Sequence, residues 1–350
     1  MPGAIGATAP VRRGVPGQGR RAGSFTGMRQ RPLGRAGLLV SRFALGTMTW
    51  GRDTDADDAA AQLKTYVEVG GNLIDTADVY ADGVAEEIVG AMLGTLVARD
   101  DLLIAAKAGL RPGMERRRDG SRGHLLRTLD ASLRRLGTDH VDVWQVHGYD
   151  PDTPLDETMS ALDYAVTSGR VRYVGISNFA GWQTAQAATW QAAWPGRSPV
   201  VCTQVEYSLL ERGIEREVVP ACETFGLGVL AWSPLGRGVL TGKYRHGRPA
   251  DSRGASPDFE RFVAPYLNPR CSAIVESVVT AANGLGVSPV EVALAWVRDR
   301  PGVIAPVLGA RTVGQLLVAL QTEEITLPPE IARALDDVSA PRLGYPERQG

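Results

Sequence analysis

The chain has 350 residues, with 38 basic and 39 acidic side chains and a formal net charge of -1. Binding to nucleic acid or to an anionic membrane over a broad surface needs a pronounced basic excess, so this balance argues against both partners. The three cysteines are widely separated and form neither a disulfide framework nor a Cys-x-x-Cys metal site, and no apolar run is long enough to span a membrane. We therefore expect a cytoplasmic protein that recognises its partner locally.

The N-terminal 27 residues are rich in Gly, Ala, Pro and Arg and contain no acidic residue. Such a composition offers no apolar face to bury and predicts a disordered tail. Its two Arg-Arg pairs resemble twin-arginine export signals, but no apolar run follows either pair, which argues against export. We expect the folded part to occupy residues 28–340, followed by a short C-terminal tail at 341–350.

From residue 29 onward, short aliphatic or β-branched runs alternate with longer segments whose apolar residues recur at helical spacing. The short runs predict strands near residues 42–46, 72–75, 102–107, 141–147, 171–177, 201–206, 228–233 and 303–309. The longer segments predict helices near residues 55–69, 85–98, 122–136, 155–168, 180–193, 214–225, 271–285, 289–298 and 313–320. This single continuous alternation favours an α/β fold in which the strands close into a (β/α)8 TIM barrel.

The alternative architecture is an open, doubly wound sheet. A sheet of that kind that binds a dinucleotide carries Gly-x-Gly-x-x-Gly between its first strand and the following helix. The first predicted strand leads instead into residues 46–51 (GTMTWG), which lack the pattern. Residues 226–231 (GLGVLA) match it formally but precede their strand, so they cannot direct helix N–H groups at a pyrophosphate. The barrel therefore remains the preferred fold.

Polar side chains end three consecutive predicted strands. Asp75, Lys107 and His147 occupy these positions, and Tyr80 follows shortly after Asp75. A lone charged residue at a strand end is more often a cap or a solvated edge. Because the loops that follow the strands share one face of a barrel, however, these four side chains are expected to converge on one rim.

Together the four residues form a proton-transfer set that needs no metal, and the histidines show no metal-ligand spacing. A tyrosine hydroxyl is a poor acid at neutral pH, and we expect the ammonium of Lys107 to lower the pKa of Tyr80. Asp75 would keep Lys107 charged, and His147 would donate to a carbonyl oxygen. A phenol donor suits a carbonyl that becomes an alkoxide, and the electron pair must then arrive as hydride from a cofactor.

These residues belong to motifs that resemble those of the aldo-keto reductases, in the long bacterial branch that is similar to the potassium-channel beta subunits. The resemblance extends from residue 31 to about residue 320, and its specificity comes from the order of the motifs along the chain. The motifs are residues 33–41 (LGRAGLLVS), 45–51 (LGTMTWG), 74–80 (IDTADVY), 169–179 (GRVRYVGISNF), 204–208 (QVEYS) and 232–244 (WSPLGRGVLTGKY).

The resemblance implies a barrel that binds NADP without a Rossmann domain, and it places the family's catalytic tetrad on Asp75, Tyr80, Lys107 and His147. Ser177, Asn178 and Gln204 would hold the carboxamide group of the nicotinamide, and Trp232 would stack on the nicotinamide ring. The complete set of implied cofactor-binding residues is Thr47, Ser177, Asn178, Gln204, Trp232, Ser233, Leu235, Gly236, Gly238, Lys243, Gly309, Arg311 and Gln315.

Two positions depart from the family's pattern after the last strand, where Gly314 and Ala319 replace residues that usually include an acidic or amide side chain and an asparagine. The adenine contact is weakened by this change, whereas Arg311 remains as the expected partner of a 2′-phosphate. We expect Trp50 and Tyr149 to form walls of the substrate pocket. The three arginines at 116–118 would either attract an anionic substrate such as a sugar phosphate or simply be solvated.

The expected function is NADPH-dependent reduction of an aldehyde or ketone, a small-molecule carbonyl substrate, with the proton coming from Tyr80. Two alternatives stay open. A barrel that binds nucleotide as a redox sensor or scaffold would carry the same tetrad, and a non-redox barrel enzyme would not bind nicotinamide at all.

Overall fold

The computed structural model describes residues 27–249, 252–255, 260–342 and 344. The tails expected at residues 1–27 and 341–350 lie outside the described residues, apart from Gly27, Pro341, Arg342 and Gly344.

A hairpin of two short antiparallel strands, β1 (Gln30–Pro32) and β2 (Leu39–Ser41), precedes the barrel and was not predicted from the sequence. Leu33 is completely buried in the apolar cluster formed by inward-facing strand residues. The turn contains Gly34 in the left-handed region (φ +59°), where an added Cβ would lie 2.4 Å from the carbonyl oxygen of Val201. Glycine therefore allows the hairpin to pack against the barrel.

In the described chain, eight parallel strands form a closed barrel, with the last strand pairing to the first. These strands are β3 (Ala44–Gly46), β4 (Leu73–Asp75), β5 (Leu103–Ala108), β6 (Val141–Val146), β7 (Val171–Ser177), β8 (Val200–Glu206), β9 (Gly228–Trp232) and β10 (Val303–Leu308). The (β/α)8 prediction is confirmed, and the predicted strand boundaries agree closely with the observed ones.

The helices surround the barrel. They are α1 (Ala56–Glu68), α2 (Val84–Met92), α3 (Arg122–Leu136), α4 (Leu155–Thr167), α5 (Gly181–Ala192), α6 (Val218–Phe225), α7 (Glu260–Val263), α8 (Pro269–Leu285), α9 (Pro289–Arg298), α10 (Val313–Leu320) and α11 (Pro329–Ser339). The helix predicted at 85–98 was too long, because the chain turns at Gly94 (φ +74°) after α2. The helix predicted at 214–225 begins later, since a short 3-10 turn occupies Gly213–Glu215. Helix α11 was not predicted.

The helix ends follow the local sequence. Gly137 and Gly226 take the left-handed conformation that ends α3 and α6, and Ser288 forms a capping box with Glu291 at the start of α9. At the start of α4 no side chain caps the helix, and the nearby hydroxyl of Thr153 donates to Asp150. This exception lies in the loop after β6, close to the candidate site.

Within the described ranges, no single helix is long and apolar enough to cross a membrane. Helices α8 and α9 reach the required length and composition only as a pair bent by 103°.

Candidate active site

The carboxyl ends of β4, β5 and β6 lie side by side, which brings three of the predicted polar residues together. Asp75 is in register with Ala105 of β5, and Lys107 is in register with Gln145 of β6. His147 directly follows β6, and its backbone N–H donates to the carbonyl oxygen of Ala108. The convergence that the strand ends predicted is present in the structure.

Asp75 and Lys107 form a buried ion pair. The Nζ atom of Lys107 lies 2.6 Å from Oδ1 of Asp75, and Nε2 of Gln204 donates to the same oxygen at 2.7 Å. Burial alone would lower the pKa of Lys107, but the carboxylate of Asp75 and the hydroxyl of Tyr80 raise it above its usual value. Lys107 therefore stays protonated at neutral pH.

Tyr80 lies beside this pair, at the start of the turn after β4. Its ring centroid is 5.2 Å from Nζ of Lys107 and 6.0 Å from the ring of His147. Burial raises the pKa of Tyr80 above its usual value, and the charge of Lys107 offsets only part of that effect. The lowering effect that the sequence predicted for Lys107 is therefore present, but burial outweighs it and the net pKa of Tyr80 is raised. The phenol is protonated at neutral pH, so it is available as a proton donor.

His147 is uncharged in this environment. Burial and the neighbouring charge of Lys107 hold the pKa of His147 well below its usual value. A neutral imidazole can still donate one hydrogen bond, and it adds no positive charge beside the ammonium of Lys107.

The turn that carries Tyr80 has an unusual backbone. Ala81 and Asp82 are in the left-handed region (φ +47° and +54°), and Gly83 follows with φ +98°. A Cβ at Gly83 would lie 2.8 Å from the side chain of Arg135, so the turn packs directly on that residue. Left-handed conformations of non-glycine residues cost energy and tend to cluster at functional sites. Nothing in the sequence indicated this strain.

Arg135 also pairs with a buried carboxylate beneath the turn. Its guanidinium lies 2.6 Å from Oε2 of Glu86. Burial and the proximity of Glu86 raise the pKa of Asp78 to about 7. The strained turn therefore rests on a small group of buried charges.

The residues expected around the carboxamide form one connected network. Oγ of Ser177 donates to the carbonyl oxygen of Gln204 at 2.8 Å, and Nδ2 of Asn178 donates to the carbonyl oxygen of His147 at 3.0 Å. Nε1 of Trp232 donates to Oδ1 of Asn178 at 3.0 Å. These bonds fix the side of the site next to the tetrad.

Trp232 carries an aromatic neighbour that the sequence did not indicate. The ring of Phe262 in α7 is nearly parallel to the ring of Trp232, with an angle of 15° and a centroid distance of 6.4 Å. Arg237 lies beside both rings and forms a bidentate ion pair with Glu206 at 2.8 and 2.5 Å. The loop after β9 is thus tied to the end of β8.

The loop after β9 contains two glycines in the left-handed region. Gly236 (φ +54°) would place a Cβ 2.6 Å from the side chain of Leu210, and Gly238 (φ +89°) would place one 3.4 Å from Nζ of Lys243. Ser233 is also left-handed (φ +51°), and Leu235 accepts a hydrogen bond from Gly238. A left-handed glycine turn beside the ammonium of Lys243 lets a phosphate approach the backbone closely, so these residues fit the pyrophosphate of a nicotinamide dinucleotide.

The loop after β10 and the start of α10 carry the predicted residues Gly309, Arg311 and Gln315. Gly309 is exposed, and the backbone N–H of Arg311 donates to Oε1 of Gln315 at 3.0 Å. No ion pair involves the guanidinium of Arg311 within the described ranges. Ala319 is buried against the core, so it offers no polar contact to an adenine.

Two other predicted residues have structural roles. Thr47 is completely buried, and both its N–H and its hydroxyl donate to the carbonyl oxygen of Asp75, so its side chain positions Asp75. Trp50 is also completely buried, with its Nε1 directed at Gln62 of α1. The turn at the end of β3 points this ring into the helix layer, and its assignment to the pocket wall is corrected accordingly.

Tyr149 follows His147 by two residues and packs edge-on against Phe179 and Trp182, with centroid distances of 5.3 and 5.7 Å. A cleft of about 500 Å³ opens nearby, beside Asn178, Phe179 and Trp232. None of the four tetrad residues lines this cleft.

The described residues contain no group of three or more His, Cys, Asp and Glu side chains that could hold a metal ion.

Residues 42–340 match the aldo/keto reductase family. The chain is 37% identical to the "Uncharacterized oxidoreductase YrpG" of Bacillus subtilis, over 87% of this chain and 94% of that protein. It is 34% identical to a "Probable voltage-gated potassium channel subunit beta" of Oryza sativa, over 89% of this chain and 96% of that protein. A protein of the same description from Arabidopsis thaliana is 33% identical, over 91% of this chain and 99% of its own length. With the barrel and the buried Asp75–Lys107 pair beside Tyr80, these matches show that the chain belongs to the aldo/keto reductase family of oxidoreductases.

Proposed function

We propose that this protein reduces an aldehyde or ketone to an alcohol, with NADPH as the hydride donor and Tyr80 as the proton donor. The observation that carries the proposal is the position of a protonated Tyr80 beside a buried, charged Lys107 that is held by Asp75 at 2.6 Å. This arrangement delivers a proton and stabilises the negative charge that remains on the tyrosine oxygen.

Each side chain of the tetrad has a separate role in the proposed reaction. His147 donates a hydrogen bond to the substrate oxygen and orients it towards Tyr80. The hydroxyl of Tyr80 then transfers its proton to that oxygen, and the ammonium of Lys107 stabilises the phenolate as it forms. Asp75 and Gln204 keep Lys107 in place. Bound NADPH supplies the hydride that completes the reduction of the carbonyl carbon.

We assign the cofactor to the loops after β7, β9 and β10. Ser177, Asn178 and Gln204 would hold the carboxamide, and Trp232 would contact the nicotinamide ring. The left-handed turns at Gly236 and Gly238, together with Lys243, suit the pyrophosphate. Ser233, Leu235, Gly309 and Gln315 would complete the contacts.

Arg311 would hold the 2′-phosphate that distinguishes NADP from NAD. A guanidinium matches the donor geometry of a phosphate and stays charged at any working pH. The location expected for such an enzyme is the cytoplasm.

A nucleotide-binding redox sensor or scaffold with little turnover is the second candidate. It is favoured by the similarity to two plant proteins described as probable potassium channel beta subunits.

The deciding experiment follows NADPH consumption by absorbance with a panel of aldehydes and ketones, and measures NADPH binding separately by fluorescence. Steady consumption with at least one carbonyl compound is expected of a reductase. NADPH binding without consumption would favour the scaffold, and an absence of NADPH binding would contradict both functions.

A further inference from the structure

The loop after β5 is an ordered hairpin, which we call the arginine hairpin (residues 109–119). The backbone N–H of Asp119 donates to the carbonyl oxygen of Gly109 at 2.9 Å, and the N–H of Arg111 donates to that of Arg117 at 2.8 Å. Leu110 and Arg118 form an antiparallel bridge between these two bonds. The three consecutive arginines are therefore carried on a defined backbone.

Arg116 fastens this hairpin to the loop that follows His147. Its guanidinium donates to Oδ2 of Asp150 and to the hydroxyl of Thr153, both at 2.7 Å. Burial alone would raise the pKa of Asp150, but hydrogen bonds from Gly120, Thr153 and Arg116 lower it to about 2. The carboxylate is thus charged throughout the working pH range, and it neutralises Arg116.

Arg118 lies against the same loop but keeps its charge uncompensated. One terminal nitrogen donates to the carbonyl oxygen of Tyr149 at 3.1 Å, which holds the guanidinium in position. A Cβ atom added at Gly148 would lie 3.1 Å from Nε of Arg118. Because Gly148 directly follows His147, the guanidinium of Arg118 lies close to the backbone beside His147. Over the described ranges, no carboxylate pairs with Arg118, and its side chain is exposed to solvent.

A guanidinium has five N–H donors, and one hydrogen bond to a carbonyl oxygen leaves most of them free. A pre-positioned arginine with free donors is well suited to a carboxylate or phosphate, because both present paired oxygens to the planar fork. Arg117 is the internal contrast, since it is exposed in the same hairpin and no contact of its side chain is described.

We propose that Arg118 is an anion-binding residue of the substrate site, and that the preferred substrates are aldehydes or ketones that carry a carboxylate or phosphate group. The inference rests on the proposed reductase function, because it places the anion next to the loop of His147.

The test compares matched substrates. The value of kcat/KM is measured for 4-carboxybenzaldehyde and for its uncharged methyl ester, and the ratio of the two is compared among variants. The wild-type protein is expected to prefer the carboxylate. In Arg118→Gln the ratio should fall about 10- to 100-fold, the range expected for a charge-assisted hydrogen bond. Arg118→Lys should keep part of the preference.

Arg117→Gln is the matched control, because it removes the same charge from the same hairpin. Its ratio should stay within about twofold of wild type, since exposed charges interact weakly through water. The inference is overturned if Arg118→Gln leaves the ratio unchanged, or if Arg117→Gln lowers it equally. The ratio of kcat/KM is also measured for glyceraldehyde 3-phosphate and uncharged glyceraldehyde. Comparing this ratio with the carboxylate ratio shows which of the two anionic groups the protein prefers.

Binding measured by calorimetry separates this inference from the proposed function. 4-Carboxybenzaldehyde should bind wild type more tightly than Arg118→Gln, whether or not it is turned over. If the ester is reduced but neither binding nor the ratio depends on Arg118, only the anion site fails. If no aldehyde is reduced but the carboxylate binds through Arg118, the reductase proposal fails and the anion site stands.

Discussion

On one side of the rim, after β4, β5 and β6, the site is built from buried charges that pair with each other. Lys107 and Asp75 are both almost inaccessible to solvent. On the other side, after β7, β9 and β10, it is built from loop backbone. Of the non-glycine residues described with positive φ, Asn178, Ser233 and Arg237 lie there. Gly236 and Gly238 are left-handed as well, and a Cβ at Gly236 would collide with Leu210.

This difference suits two kinds of work. A proton donor needs a neighbouring charge at a fixed, short distance in a medium of low polarity, and rigid strand ends provide it. An extended nucleotide needs many weak contacts along its length, and loops provide these where glycines let the backbone approach closely and polar side chains follow. We therefore expect substitutions on the first side to change rate and stability, and substitutions on the second side to change cofactor affinity and preference.

The largest effect is expected for Tyr80→Phe. The proposed proton donor is lost while the ring is kept, so kcat for carbonyl reduction should fall by about 10²- to 10⁴-fold. NADPH affinity, measured by fluorescence titration, should barely change, because the hydroxyl is needed only as charge develops on the substrate oxygen. A variant that retains more than about a tenth of wild-type kcat would exclude Tyr80 as the acid.

The next effect concerns stability. Asp75→Asn leaves the ammonium of Lys107 buried without its counter-charge, and breaking such a pair typically costs about 3–5 kcal/mol in the free energy of unfolding. Glu276→Gln is the control, because it breaks an exposed pair with Arg245 of similar length, 2.7 Å. That change should have little effect on stability, because exposed ion pairs are screened by water.

Urea denaturation measures both variants. The double variant Asp75→Asn/Lys107→Met removes the buried charge as well, so it should recover part of the lost stability without recovering activity. An Asp75→Asn protein that loses no more stability than Glu276→Gln would show that the Asp75–Lys107 pair is not effectively buried.

The charged side of the rim was largely predictable from the sequence. Apolar runs located the strands closely, and the carboxyl ends of parallel strands share one face, so Asp75, Lys107 and His147 had to converge. The net pKa of Tyr80 was not predictable. It depends on how far burial outweighs the charge of Lys107, and burial is a property of the whole fold.

The loop side was less predictable, because the directions of side chains there depend on turns and on distant segments. Trp50 is turned into the helix layer by the bend after β3. Phe262 reaches Trp232 from a short helix far along the chain. The role proposed for Arg118 depends on contacts between two loops that no spacing in the sequence reveals.

Arg311→Ala tests the loop side of the comparison. Loss of the proposed 2′-phosphate contact should raise KM for NADPH about 10- to 100-fold, the usual worth of a hydrogen bond to a charged group. The kinetics with NADH should hardly change, because NADH lacks that phosphate. Arg117→Ala, on the opposite side of the rim, is the control and should leave both cofactors unaffected.

Both cofactors are titrated against the three proteins. A wild-type protein that prefers NADH, or an Arg311→Ala variant that weakens both cofactors equally, would show that Arg311 does not hold the 2′-phosphate.

The smallest effect is a pH dependence that arises from His147. Its pKa is lowered in the folded protein by burial and by the charge of Lys107, whereas the unfolded chain takes up a proton near the ordinary value of 6.5. Its contribution to stability is therefore complete above that pH and is lost as the pH falls below it.

Between pH 6.5 and 5.5, the free energy of unfolding should decline more steeply in wild type than in His147→Gln, by up to about 1.4 kcal/mol per pH unit. Urea denaturation at each pH measures this slope in both proteins. Equal slopes in wild type and His147→Gln would mean that His147 titrates normally, and the neutral imidazole proposed as hydrogen-bond donor would have to be withdrawn.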